Sequence, residues 1–167
     1  RVSRYGLLAF ASSLDQVGVL EATAGGCALA LEAMAGRDAM DSTSASIPVP
    51  SYLEEIRKDI RGLRLGVPRE YFPEGIDEEV RRQVLSGIET FRGLGVSVRD
   101  VSLPHTAYAN PTYVLISAAE ASSNLARYDG VHYGYRTAEP EDLLDLYCRS
   151  RVEGFGPEVK RRIMVGT

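Results

Sequence analysis

The clearest amphipathic pattern lies in the middle of the chain. Val80, Val84, Ile88 and Phe91 recur at helical spacing between polar positions, which predicts a helix over 77–92 with one apolar stripe. Asp77 is placed to cap it, and Glu78 and Glu79 suit the positive end of the helix dipole. Gly93 and Gly95 end the pattern. On one side Leu63 to Pro68 reads as a strand with a proline stop. On the other, Val96 to Val101 alternates with period two, as a half-buried strand does. Strand, helix, strand in that order predicts a βαβ unit with parallel pairing.

Elsewhere the pattern is more helical than extended. Leu20 to Ala35 is rich in Ala and Leu, and Cys27, Leu31 and Met34 recur at helical spacing. Gly25 and Gly26 weaken that helix by roughly 1 kcal/mol each relative to Ala. Gly36 is a plausible terminator. Residues 37–50 form a loop, read as a long excursion within one domain. A short helix is predicted over 52–56. Leu7 to Phe10 is a short apolar run, either a strand or a strand-like loop. Pro111 suits the first turn of a helix reaching about Ala126. Its Ser117–Ser123 segment is nearly all small, which predicts close packing against a neighbour. A helix over 141–152 places Leu143, Leu144, Tyr147 and Arg151 near one face. Gly154-Phe155-Gly156 breaks it, and Pro157 opens a last helix. The order implies an α/β fold with a mixed sheet flanked by helices.

The 167 residues suffice for one domain, with 44% apolar and 25% charged residues, as in globular proteins. A net charge of −4 argues against this segment gripping nucleic acid alone, since phosphate binding needs a basic field. Cys27 and Cys148 form no CxxC pair and read as reduced thiols, which fits a cytoplasmic setting. No apolar run is long enough to span a membrane. The chain opens on Arg1 and ends on an apolar stretch, so both ends read as cut.

Candidate chemistry is sparse. No GxSxG elbow and no phosphate loop occur. His105 and His132 lack zinc-like spacing, so a histidine-dependent triad and a metal site are not expected. Asp15 sits in a Ser-Ser-Leu-Asp-Gln loop between apolar segments, where a charge needs hydrogen bonds. It reads either as a loop staple or as support for a neighbouring active-site loop. In the basic run Lys160-Arg161-Arg162, Arg161 points away from the apolar face of the last helix. Arg162 flanks that face and can send its guanidinium into a cleft, where a planar fork suits a carboxylate. The other reading is a solvated or structurally paired arginine.

Several strings go beyond periodicity. Arg1-Val2-Ser3-Arg4-Tyr5-Gly6-Leu7, Ala9-Phe10-Ala11-Ser12-Ser13-Leu14-Asp15-Gln16 and Asp41-Ser42-Thr43-Ser44 resemble the amidase signature family. Glu120 to Gly130 and Ser150 to Ile163 resemble its tRNA-dependent amidotransferase branch more narrowly. The sequence departs from the family pattern over Val19–Gly26, at the start of a helix. The resemblance implies a Ser–cis-Ser–Lys triad, with the serine as nucleophile and backbone N–H groups as oxyanion hole. That triad would lie upstream of Arg1, so no catalytic residue maps onto this segment, and the 167 residues would be an interior part of a single amidase domain, inactive alone. Two positions carry over to a glutamine pocket: Arg162 for the substrate carboxylate and Tyr113 as a lining residue. The resemblance further implies glutamine hydrolysis that releases ammonia to amidate glutamyl-tRNA(Gln) or aspartyl-tRNA(Asn). The expected partners are the B and C subunits of such an amidotransferase, with tRNA held chiefly by B. ATP and magnesium are expected at the partner and no cofactor in this chain. Two alternatives are another hydrolase of the family acting on free amides, and a non-catalytic α/β interaction module.

Overall fold

A computed structural model describes all residues, Arg1–Thr167. Internal contacts group them into two compact units. One comprises Arg1–Gly18, Gly36–Ser46 and Pro111–Thr167, the other Val19–Ala35 and Ile47–Asn110. The long loop after α1 (Ala24–Met34) is irregular throughout.

The second unit holds the predicted βαβ element. Strands β1 (Arg64–Pro68) and β2 (Ser97–Val101) pair in parallel, with Arg64 opposite Ser97 and Pro68 opposite Val101. These two strands are the whole sheet. Helix α3 (Glu78–Gly93) connects them, and Asp77 accepts from the Glu79 and Val80 N–H groups at 2.8 and 3.1 Å. Its apolar stripe is largely uncovered: Val80, Val84 and Phe91 are all exposed. Helix α1 starts at Ala24 rather than near Leu20. The Glu21 carboxylate takes the Thr23 N–H at 2.7 Å, and Thr23 then caps Gly26 from an extended backbone. This local side-chain bonding competes with helix over 20–23, and Leu20 is left in solvent. The short helix α2 (Tyr52–Glu55) packs on α1, where Glu32 meets Ser51 and Leu53.

Helix α4 (Thr106–Asn124) corrects the reading of Pro111, which lies inside the helix and not in its first turn. The start is set earlier, where Thr106 and Tyr108 donate to Leu103 and His105. Proline cannot donate to the Ala107 carbonyl, but Ala107 is exposed and water can serve it. Within the first unit, the small-residue face of α4 is buried at Ser117, Ala118 and Ala121. Helix α6 (Pro157–Gly166) meets it at Gly166. A Cβ at Gly166 would fall 2.0 Å from the Ala118 carbonyl oxygen, so only glycine permits this approach.

Helix α5 (Leu143–Gly154) is capped by Asp142 and buries Leu146 and Ser150, whereas Leu143 and Leu144 are exposed. Its buried side is set by a polar contact: Ser150 Oγ accepts the buried Thr137 N–H at 3.1 Å. Gly130, at φ +80°, sits against Ser150 where a Cβ has no room. Leu7 to Phe10 is irregular, and Leu7 and Leu8 face solvent. No helix is long and apolar enough to cross a membrane.

Two carboxylates tie distant segments together. Asp41 accepts the Arg4 N–H at 2.8 Å and both donors of Thr43, and these bonds hold its carboxyl down at about 2. Glu70 accepts the Leu103 N–H at 2.9 Å and the Ser102 hydroxyl, again lowering it to about 2. Both folded values lie below the ordinary 3.8 and 4.5. Their stabilisation is therefore complete above those ordinary values and disappears as pH falls toward 2. Urea midpoints across that range should decline on acidification, and Asp41→Asn should flatten the decline. An unchanged slope in the variant would count against this role for Asp41.

Candidate substrate cleft

The face that α6 turns toward α4 decides what can be bound there. Pro157 at its first position and Glu158 in its first turn suit a helix start. From Glu158, one helical turn leads to Arg162, and Arg162 Nε donates to Glu158 Oε1 at 2.6 Å. Tyr113, Val114, Ser117 and Ala118 of α4 face these two charged residues across a cleft of about 300 Å³, which Arg161 and Val165 complete. Arg162 and Tyr113, both singled out from sequence, thus line the same cleft. Tyr113 is exposed, and the Arg162 side chain is 45% accessible. Arg161 is 76% accessible and reaches Glu158 only at 3.6 Å.

Asp15 does not line this cleft but connects to it. Its Oδ2 accepts the Phe10 N–H at 2.8 Å and its Oδ1 the Ala11 N–H at 3.1 Å. That is the geometry of a loop staple. The stapled loop carries Phe10, whose ring centre lies 5.4 Å from Arg162 Cζ, within cation–π range. Asn124, at the end of α4, donates to the Phe10 carbonyl at 3.1 Å and to Ser12 Oγ at 2.9 Å. Glu120, one turn earlier, accepts from the Ser13 hydroxyl and from the Ser13 N–H at 2.8 Å, and both bonds lower its carboxyl pKa. Asp15 also borders a second hollow with Arg4, Tyr5 and Asp41.

The cleft therefore presents a guanidinium fork, a phenol and an apolar floor. This combination suits a small molecule with a carboxylate and a short uncharged chain. It holds no nucleophile paired with a base. His132 is taken by Asp129 at 2.8 Å, with the Asp129 carboxyl held well below its usual range by the His132 backbone N–H and imidazole. His105 lies beside Tyr108. No cluster of three His, Cys, Asp or Glu side chains gathers as metal ligands do.

A family model described as Amidase matches residues 1–167. The chain belongs to the amidase family. Among its relatives, the A subunit of glutamyl-tRNA(Gln) amidotransferase from Geobacter sulfurreducens is 58% identical over 167 residues, and that from Geobacter metallireducens 56%. Each alignment covers all of this amidase chain and 34% of the relative. The chain thus spans about a third of the length of the curated relatives it matches. The crystal structure of the corresponding A subunit from Thermotoga maritima superposes with a TM-score of 0.69 at 37% identity, over 99% of this chain and 31% of that one. A peptide amidase shares the fold at 24% identity, with a TM-score of 0.65 over 99% of this chain and 34% of that one. The α/β architecture is thus that of amidase-family enzymes.

Phe10, Asn124 and Glu120 escaped the reading of sequence as site residues. Phe10 and Asn124 meet across 114 positions, and no local pattern signals that. Glu158 was legible in principle, because acid and arginine four apart on a helix are neighbours.

Proposed function

We propose that this segment belongs to the glutaminase component of a tRNA-dependent amidotransferase and supplies the part of the site that grips glutamine. The observation that carries the proposal is the convergence of Arg162 and Tyr113 on one cleft, in a chain alignable over its whole length with A subunits. Glutamine would set its α-carboxylate against the Arg162 fork and lay its aliphatic chain along Val114 and Ala118 beside Tyr113. Its amide would reach a serine nucleophile supplied by another part of the full-length protein. Attack on the amide carbonyl and hydrolysis of the acyl-enzyme would give glutamate and ammonia. Asp15 would act indirectly, by holding the Phe10 loop beneath Arg162.

The ammonia would pass to a B subunit that amidates activated glutamyl-tRNA(Gln) or aspartyl-tRNA(Asn), with ATP and magnesium held there. A small C subunit would complete a cytoplasmic heterotrimer. Net charge −4 supports leaving the tRNA mainly to B. The test is to assay ammonia release from glutamine with the full reading frame co-purified with both partners, beside the 167-residue chain alone. The complex should release ammonia and the short chain none. A full-length protein that hydrolyses free amides but ignores glutamine and both partners would replace this reading with that of a general amidase.

A further inference from the structure

We propose that Glu158 and Phe10 are positioning residues that preset the Arg162 guanidinium for a substrate carboxylate. The proposal rests on the glutamine reading of the cleft and adds how the arginine is made ready. An arginine side chain has several rotatable bonds, and freezing it on binding costs about two- to tenfold in affinity. A group already held in its bound rotamer avoids that loss.

Two contacts hold it. Glu158 occupies the Nε edge at 2.6 Å, and Arg162 Cζ lies over the Phe10 ring, 5.4 Å from its centre. The hydrogen bond from Arg162 to Glu158 uses Nε, which leaves the Nη1–Nη2 end for a bidentate carboxylate. Phe10 is itself pinned at both ends of its residue. Its N–H donates to Asp15 and its carbonyl accepts from Asn124. The ring is thus seated by a loop and a helix end, independently of α6.

Simple electrostatics predicts the opposite sign for one variant. Glu158 places a negative charge beside Arg162, so a pure field effect would make Glu158→Ala tighten carboxylate binding. Preorganisation makes it weaken.

The experiment is steady-state glutaminase kinetics of the full-length protein in complex with its partners. Glu158→Ala and Phe10→Leu should each raise the glutamine KM about three- to tenfold with kcat within about twofold. Phe10→Tyr, which keeps a ring, should restore KM to near the parent value. In an Arg162→Ala background, Glu158→Ala should have little further effect, because the group it positions is gone. A lowered KM in Glu158→Ala, or an undiminished effect in that background, would overturn the proposal. Unchanged KM in both single variants beside a raised KM in Arg162→Ala would overturn positioning and leave the glutamine site standing. Unchanged KM in Arg162→Ala itself would remove both.

Discussion

Arg162→Ala in the full-length complex should raise the glutamine KM roughly 10- to 150-fold, the kinetic equivalent of an arginine–carboxylate contact of about 1.5–3 kcal/mol. The size follows from what is lost. Alanine removes both Nη donors, and Arg161, which also lines the cleft, is 76% accessible and leans toward Glu158. Folding should survive, because the Arg162 and Glu158 side chains are 45% and 51% accessible and the freed carboxylate can be hydrated. A pair so exposed contributes little to stability, so the loss should appear in binding. Arg162→Lys should fall between, since it keeps the charge and loses the fork. Glutaminase kinetics with a parallel thermal melt read both. An unaltered KM in the alanine variant would end the assignment of this cleft to glutamine.

The second large effect is expected at Gly166. A methyl group there would lie 2.0 Å from the Ala118 oxygen and 2.3 Å from its carbonyl carbon. Both are backbone atoms inside α4, so no side chain can swing aside. The end of α6 must back away from α4, and overpacking of this kind costs about 1–3 kcal/mol. Gly166→Ala should therefore lower the thermal midpoint. It should also raise the glutamine KM, because Ala118 and Val165 line the same cleft. An Ala variant with the parent's melting temperature would show that the two helices do not approach this closely.

These two positions differ in how far they could be anticipated. Arg162 stood out as a fork-shaped cation beside an apolar stripe, and a strong resemblance sharpened it. Nothing local marked Gly166, because a glycine near a helix end is ordinary and its contact at Ala118 lies in another helix, far back along the chain. Pro111 shows the opposite failure. Proline is best tolerated in a first turn, yet a turn through Leu103 and His105 starts the helix earlier. Leu20 likewise carried a helical pattern that the Glu21–Thr23 bonds overrode.

The order of elements was determined by sequence alone: the βαβ unit, the Asp77 cap, the small face of α4 and the Pro157 start all follow from periodicity and capping, which act within a few residues. The family, too, was legible in its strings. The cleft was decided only in three dimensions. Tyr113 and Arg162 are neighbours because α4 and α6 touch through Ala118 and Gly166, and Phe10 lies under Arg162 because Asp15 and Asn124 hold its backbone from both sides. Such contacts depend on packing between segments remote in the chain, and a one-dimensional pattern carries no record of distance across that gap.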